Sequence, residues 1–254
     1  MDQRKRFDLD GRAAVVTGSS RGIGAAMAEG LAAAGADVVV HCAGNVEAGQ
    51  AVATRIRDQG RRAMVVRADL ADPDAADQIV EAIGDFGPID ILVHNASMQF
   101  REGWSGISRG HVEQQLRVNL QAVFDLNAAM VPAMTDRGWG RVLTIGSVQQ
   151  HRPHPQMPVY AASKSALENA TRHLARELAD VGVTVNNLAP GVIDTDRNRE
   201  ALSDPTYRQH VIDQIPMRRF GATEDCVGAA LLLCTDAGAY ITGQTIYVDG
   251  GLTL

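Results

Sequence analysis

Short apolar runs alternate with longer alanine-rich stretches along the chain. The runs hold valine, isoleucine and leucine with few polar residues between them, which predicts strands that are buried on both faces. We expect strands at residues 13–17, 38–40, 63–66, 89–94, 142–145, 183–188 and 245–248. We expect helices at residues 23–34, 46–58, 73–86, 108–134 and 222–235, and one more that carries Tyr160. This alternation predicts an α/β fold in which helices cover both faces of a doubly wound parallel sheet.

Two stretches interrupt the alternation. Pro132 is expected to kink or end the helix at 108–134. The segment from Gly191 to Phe220 is polar and too long for an ordinary connection, which suggests a lid over a site. No linker, repeat or low-complexity run divides the chain, so we expect residues 1–254 to form one domain.

Composition narrows the class of partner. The chain has 254 residues and a net charge of -6, which argues against nucleic acid as an obligate partner. Its three cysteines form no C-x-x-C pair, which is typical of a reduced, cytoplasmic setting. The charged N-terminus does not resemble a signal peptide, and no apolar run approaches the ~20 residues that span a bilayer. We therefore expect a cytoplasmic protein without a membrane partner.

A glycine-rich turn follows the first predicted strand. It reads T-G-S-S-R-G-I-G and contains Gly18, Gly22 and Gly24. Such a turn lets the backbone approach a pyrophosphate, and the helix after it offers free N–H groups. A tight strand–helix turn that needs glycine for steric reasons alone is the alternative. The position between strand and helix favours a dinucleotide site.

The end of the second strand bears on which dinucleotide is bound. An NAD site expects an acid there for the ribose 2′-hydroxyl, but this strand ends in His41, Cys42 and Ala43. Arg21 in the glycine turn could instead meet a 2′-phosphate, unless it is merely a solvated turn residue. We predict NADP(H) as the preferred cofactor and keep NAD(H) as the alternative.

Tyr160 and Lys164 lie four residues apart in a helical stretch, so their side chains share one face. A phenol has a reference pKa near ~10, and a neighbouring ammonium favours its phenolate, which makes it a usable acid/base. Lys5 and Lys164 are the only lysines, so arginine is the default cation of this chain. Ser147 follows a predicted strand and could donate to a substrate oxygen. The alternative is a partly exposed pair with Ser147 in a turn.

Together these motifs resemble the short-chain dehydrogenase/reductases. The shared features are T-G-x-x-x-G-I-G, the N-A of H-N-A-S, the V-N-L that contains Asn119, Ser147, Y-x-x-x-K and Pro190-Gly191, in the family's order over nearly the whole chain. The resemblance implies a seven-stranded Rossmann-like sheet, a nicotinamide cofactor, and hydride transfer between an alcohol and a carbonyl. It also implies a homo-oligomer, commonly a tetramer built on the helices that carry Asn119 and Tyr160.

The resemblance also implies roles for single residues. Tyr160 would be the acid/base and Ser147 would orient the substrate. Lys164 would bind the nicotinamide ribose and lower the tyrosine pKa, and Asn119 would hold a water in a proton relay. Asp69 would lie near the adenine, Asn95 near the ribose and Thr195 at the carboxamide. The full set expected to bind the cofactor is Gly18, Ser20, Arg21, Gly22, Ile23, Gly24, Asp69, Leu70, Asn95, Ala96, Tyr160, Lys164, Pro190, Gly191, Ile193 and Thr195.

One motif departs from the family. After the fourth strand the family usually has N-N-A-G, whereas this chain has H-N-A-S, with Ser97 in place of the glycine. A side chain therefore stands where backbone normally passes close to cofactor and substrate. This changes the pocket shape and offers the substrate an extra hydroxyl partner.

The expected pocket wall is polar. It comprises the loop 148–158, which holds Gln149, Gln150, His151 and His154, together with Ser97, Gln99 and the lid. An apolar substrate would leave these groups unpaired at about 1–3 kcal/mol each, so we predict a sugar, sugar acid or polyol. The alternative for His151 and Gln150 is that they face water. His151 and His154 lack a third ligand and a helical spacing, so we expect no metal.

Two other functions stay open. A 3-oxoacyl-thioester reductase is the alternative within enzymes, although a net charge of -6 does not favour docking of an acidic carrier protein. A catalytically silent dinucleotide sensor is the alternative from another class. The complete set of Asn119, Ser147, Tyr160 and Lys164 argues against a sensor, which needs no acid/base.

Overall fold

The computed structural model describes residues 3–199 and 201–254. In that part of the chain, one sheet of seven parallel strands has the order β3-β2-β1-β4-β5-β6-β7. The strands are β1 (Ala13–Val16), β2 (Asp37–Cys42), β3 (Ala63–Arg67), β4 (Ile91–His94), β5 (Gly140–Ile145), β6 (Val183–Pro190) and β7 (Thr245–Val248). This confirms the predicted α/β fold and the Rossmann-like sheet.

The helices run in the connections between the strands. They are α1 (Gly22–Ala33), α2 (Val46–Asp58), α3 (Ala75–Ile83), α4 (Arg109–Leu116), α5 (Ala122–Asp136), α6 (Pro158–Leu178), α7 (Asp196–Arg199), α8 (Pro205–Gln214) and α9 (Val227–Cys234). Among the described helices, none is long and apolar enough to cross a bilayer.

Two apolar cores explain why the strand sequences are apolar without alternation. Ala14 and Val16 of β1 point into one core with α1, whereas Val15 points into the other with α3 and α5. Successive side chains of a strand alternate between faces, so a sheet covered on both sides needs an apolar residue at every position. In register, Val15 lies between Val39 of β2 and Leu92 of β4.

The strand order places a crevice beside β1. From β1 the chain moves outward through β2 and β3, and then returns to β4 on the other side of β1. The loops after β1 and β4 therefore leave the sheet in opposite directions from adjacent strands. Ligands of open α/β sheets bind in the crevice at such a switch point.

The helical region predicted at 108–134 is interrupted, but not at the proline. A π-helical turn at Arg117–Gln121 separates α4 from α5, while Pro132 lies inside α5, which continues to Asp136. Of the two effects predicted for Pro132, a kink or a helix end, the helix end is therefore wrong. The interruption coincides with Asn119, whose side chain bonds to groups outside the helix and is described below.

The segment 191–220 contains two of the short helices, α7 and α8. The last predicted helix is split into a 3-10 turn at Thr223–Cys226 and α9. Cys226 and Cys234 are fully buried there, and burial raises the pKa of both thiols to about 12. They are inert packing residues.

Candidate active site

The glycine turn after β1 is shaped by close backbone contacts. Gly18 has a φ of +63°, and a Cβ there would lie 2.9 Å from the Cα of Ala96. A Cβ on Gly24 would lie 2.3 Å from Nδ2 of Asn95 and 2.6 Å from the Gly18 carbonyl. Any side chain at these positions would displace the loop after β4. This turn opens α1, so its shape fits the pyrophosphate of a dinucleotide.

Asn95 ties the loops after β1 and β4 together. Its Nδ2 donates to the carbonyls of Thr17 at 2.9 Å and Gly18 at 3.0 Å. In return, Oγ1 of Thr17 accepts from the backbone N–H groups of Asn95 and Ala96, both at 3.0 Å. The Asn95 amide thus holds the glycine turn in place, and the residue also lines the cavity described below.

His41 supports the same turn from β2. Its Nδ1 accepts from the Gly18 backbone N–H at 3.0 Å, and its Nε2 lies 3.0 Å from the Ala68 carbonyl. These partners require a neutral ring with the proton on Nε2. Burial lowers the pKa of His41 from 6.5 to about 4, so this tautomer persists at neutral pH.

Tyr160 and Lys164 lie in the first two turns of α6, which begins at Pro158, and both are buried. Nζ of Lys164 donates to the Ile145 carbonyl at 2.6 Å and lies 5.6 Å from the centre of the Tyr160 ring. Burial, and to a smaller extent the cation of Arg197, lowers the pKa of Lys164 from 10.5 to about 7. The amine is therefore anchored beside the phenol at the end of β5.

Ser147 leaves β5 and begins the next short turn. Its Oγ accepts from the Gln149 backbone N–H at 3.2 Å, and its own N–H donates to Oε1 of Gln150 at 3.2 Å. This reciprocal cap fixes the serine at the cavity wall while its hydroxyl proton stays available to donate.

A cavity of about 890 Å³ unites these elements. Ser147, Tyr160 and Lys164 line it, and so does every residue expected to bind the cofactor, from the glycine turn through Asp69 and Asn95 to Thr195. The four expected substrate contacts also line it: Ser97, Gln99, Gln149 and His154. One carboxylate oxygen of Asp69 accepts from the Ala71 N–H at 3.0 Å, which orients that acid at the end of β3.

Asn119 is the predicted site residue that does not line the cavity. Its Oδ1 accepts from the Met98 N–H at 2.7 Å, and its Nδ2 donates to the Met98 carbonyl at 2.8 Å and to Oγ of Ser163 at 3.2 Å. The side-chain amide is thus engaged with the loop after β4 and with α6. Asn119 therefore supports the cavity wall through its bonds to Met98, which lines the cavity.

Of the four polar residues expected in the pocket wall from the loop 148–158, Gln150 and His151 lie outside the cavity lining. His151 is exposed, with its ring centre 6.2 Å from that of Tyr247, and Gln150 points back to Ser147 and Asn187. Where side chains are described, no group of three histidine, cysteine or acidic residues could hold a metal ion.

Three functional positions escaped the sequence analysis. From the sequence, His41 drew attention only because β2 ends without an acidic residue, and Arg197 only because it lies in the polar segment 191–220. His94 ends β4, where it is buried with Nε2 2.8 Å from Oδ1 of Asn127 and with Nδ1 unpaired. Burial lowers the pKa of His94 to about 4. A histidine in an otherwise apolar strand was the available signal, but its partners come from distant segments.

Known proteins resemble this chain over its whole length. The sequence model of the family described as "Enoyl-(Acyl carrier protein) reductase" matches residues 18–253. Gluconate 5-dehydrogenase of Gluconobacter oxydans (strain 621H) is 36% identical over 249 residues, which cover 98% of this chain and 97% of the relative.

Two crystal structures share the fold closely. A 3-oxoacyl (acyl-carrier-protein) reductase from Agrobacterium tumefaciens C58 with NADP bound has a TM-score of 0.93 at 41% identity, covering 98% of this chain and 97% of that one. A gluconate 5-dehydrogenase from Burkholderia cenocepacia J2315 in complex with NADP and tartrate has a TM-score of 0.93 at 37% identity, covering 98% of both chains.

The two buried histidines predict acid sensitivity. In the unfolded chain these two histidines take up a proton near pH 6.5. In the folded protein His41 and His94 take it up only near pH 4. The contribution of these two histidines to the free energy of unfolding is therefore fully present above pH 6.5 and is lost as the pH drops from 6.5 to 4. Below pH 4 these groups cause no further loss. Each histidine contributes a loss of up to about 3 kcal/mol.

Urea unfolding of wild type and His94→Asn at pH 7, 6, 5 and 4 measures this effect. We expect the variant to lose less stability than wild type between pH 6.5 and 4, and the exposed His151→Asn serves as the control for removal of an imidazole. A stability difference between wild type and His94→Asn that stays constant over this range would contradict the prediction.

Proposed function

This chain belongs to the short-chain dehydrogenase/reductase family, and we propose that it transfers a hydride between NADP(H) and a small polar alcohol or ketone. A sugar, sugar acid or polyol is the proposed substrate class. The observation that carries the proposal is the shared cavity: Ser147, Tyr160 and Lys164 line the same space as the glycine turn. An acid/base therefore faces the place where a dinucleotide would lie.

The proposed roles follow from the contacts of each side chain. The Tyr160 hydroxyl moves the proton to or from the substrate oxygen, and the Ser147 hydroxyl donates to the same oxygen. Lys164 holds its charge close to the phenol because the Ile145 carbonyl fixes its Nζ. When NADP(H) is bound, its nicotinamide supplies or accepts the hydride.

We place the contribution of Asn119 to a proton relay at its main chain. Its side-chain amide already bonds to Met98 and Ser163. The π-helical turn at Arg117–Gln121 changes the backbone bonding at this residue, and such turns are frequent at functional sites. The main-chain carbonyl is then the group left to hold a water.

The cofactor preference rests on charge at the end of β2. Arg21 of the glycine turn lines the cavity. The residues at and after the end of β2 also line it, and none of them is acidic: His41, Cys42, Ala43, Gly44 and Asn45. Arg67 ends β3 opposite Cys42 and donates to the Ala43 carbonyl at 3.4 Å, which adds a second cation beside this wall. Arginine recognises a phosphate through paired hydrogen bonds. NADP(H) is therefore preferred, and NAD(H) remains possible.

The polar wall favours the sugar-acid class over a long acyl chain. Gln99, Gln149 and His154 line the cavity, and Oε1 of Gln149 accepts from the His154 N–H at 2.9 Å. The similarity to gluconate 5-dehydrogenases supports this substrate class. The similarity to a 3-oxoacyl reductase at 41% identity supports the thioester alternative. The substrate panel described below distinguishes sugar acids from oxoacyl thioesters.

The segment 191–220 is proposed to act as the lid of a single domain spanning 1–254. Its residues Ile193, Thr195, Tyr207, Val211 and Gln214 line the cavity from one side. Short helices on a long connection are able to move without disturbing the sheet.

The three buried, unpaired cysteines support a reduced, cytoplasmic location.

We further propose a homotetramer that uses the outer faces of α5 and α6. An apolar groove there is lined by Leu120, Val123, Phe124, Val131 and Leu174. The side chain of Phe124 is 53% exposed in the single chain. A second copy that places the same helices against this groove would bury it symmetrically.

Removal of the phenol hydroxyl tests the catalytic proposal. For Tyr160→Phe we expect kcat to fall by about 10²- to 10⁴-fold while the Kd for NADPH changes little, because the hydroxyl moves the proton and the ring still packs. Nicotinamide absorbance, followed with NAD and NADP against polyols, sugar acids and oxoacyl thioesters, measures turnover. The fully exposed Tyr240→Phe is the control. A catalytically silent sensor would show no turnover in wild type and no change of output in Tyr160→Phe.

Neutralising Arg21 tests the cofactor preference. For Arg21→Met we expect the KM for NADP to rise by about 10- to 100-fold, as loss of a charged hydrogen bond implies, while the KM for NAD stays the same. Arg109→Met, at an exposed position outside the cavity, controls for net charge. An equal rise for both cofactors would show that Arg21 does not read the 2′-phosphate.

Light scattering on a sizing column tests the assembly. We expect wild type at four times the chain mass of 27.1 kDa, and a smaller species for Phe124→Glu because the charge would be buried in the groove. Trp104→Glu, at another exposed aromatic residue, is the control. A wild-type mass of 27.1 kDa would contradict the proposal.

A further inference from the structure

An arginine of the lid reaches across the cavity to the loop after β4. Nη1 of Arg197 donates to Oγ of Ser97 at 2.8 Å, and Nη2 donates to the Ser97 carbonyl at 2.8 Å. The two residues lie on α7 and just after β4, 100 positions apart in the chain, and both line the cavity. Ser97 is the side chain that stands where the family usually has glycine, so this hydroxyl contact would be absent with the usual residue.

The two contacts orient the guanidinium without neutralising it. A guanidinium carries five N–H donors, so the bonds to Ser97 leave three of them. In the described part of the chain, no carboxylate lies within 4.0 Å of Arg197. Its neighbour Asp196 instead pairs with Arg199. With respect to the described residues, Arg197 is therefore an oriented cation that has no acidic partner and has donors left over at the cavity wall.

Arg197 also lines the same cavity as Tyr160 and Lys164. Its charge is the second cause, after burial, of the lowered pKa of Lys164. Arg101 also lines the cavity; burial, and to a smaller extent the cation of Arg101, lowers the pKa of His154. Arg101, Arg197 and Lys164 thus bring positive charge to the cavity, although the whole chain carries a net charge of -6. A neutral polyol would leave this positive charge unpaired, whereas a carboxylate would neutralise it.

We propose that Arg197, oriented by Ser97, binds the carboxylate of a sugar-acid substrate and sets the preference for acids over neutral sugars. The inference rests on the proposed hydride transfer and names the charged group that its substrate carries. Because Arg197 belongs to the segment 191–220 and Ser97 to the loop after β4, the contact that orients the guanidinium also joins that segment to the loop.

The test compares gluconate with gluconamide, which has the same carbon chain without the charge. For Arg197→Met we expect the KM for gluconate to rise by about ten-fold or more, as loss of a charge-assisted hydrogen bond implies. The KM values for gluconamide and NADP should change by less than about two-fold. For Ser97→Gly we expect a smaller rise with gluconate only. Arg109→Met removes the same charge at an exposed position outside the cavity and should leave all three KM values unchanged.

Two outcomes would overturn the assignment. An equal loss with gluconate and gluconamide would show that Arg197 only shapes the cavity. A rise confined to NADP would show that it contacts the pyrophosphate of the cofactor.

Calorimetry separates this inference from the proposed function because it needs no turnover. Gluconate is titrated into the protein loaded with NADPH, which cannot accept a hydride from it, and we expect binding to wild type that is weakened about ten-fold or more in Arg197→Met. If wild type binds gluconate through Arg197 yet oxidises neither sugar acids nor polyols, the proposed function fails and the carboxylate site stands. Equal binding to both proteins overturns the site.

Discussion

The close approach of the loops after β1 and β4 is the constraint on which the rest of the site depends. Two glycines allow it, since a Cβ on Gly18 or Gly24 would collide with Ala96 or Asn95. The Asn95 amide and the Thr17 hydroxyl then bond across the gap and satisfy backbone groups that would otherwise be exposed at the end of the sheet. The glycine turn and Ser97 line one cavity because these two loops meet.

The buried ammonium of Lys164 is the second organising feature. An isolated buried charge is costly, and here burial lowers the pKa of the amine to about 7. The hydrogen bond from Nζ to the Ile145 carbonyl at the end of β5 offsets part of this cost and fixes the position of Nζ. The same hydrogen bond joins α6, which carries Tyr160, to the end of β5, which Ser147 follows, and both residues line the cavity. One hydrogen bond therefore serves both the packing of α6 and the proposed catalytic geometry.

Charge is distributed unevenly between the surface and the cavity. The protein is acidic overall, while Arg21, Arg101, Arg197 and Lys164 line the cavity. Of the acids that line the same cavity, Asp69 accepts from the Ala71 N–H and Asp196 is paired with Arg199. Electrostatic complementarity of this kind contributes to specificity for anionic ligands. Both the 2′-phosphate of the cofactor and an acidic substrate fit the same arrangement.

Local sequence patterns were enough to predict the sheet, the glycine turn and the Tyr160–Lys164 pair. Their signals lie within a few residues: an unbroken apolar run, glycines at fixed spacing, and side chains one helical turn apart. The sequence did not reveal the π-helical turn at Asn119, the neutral His41 under the glycine turn, or the contact between Arg197 and Ser97. Each of these joins segments far apart in the chain. Only the tertiary structure decides such contacts, because they depend on which loops the parallel strand order brings to the same edge of the sheet.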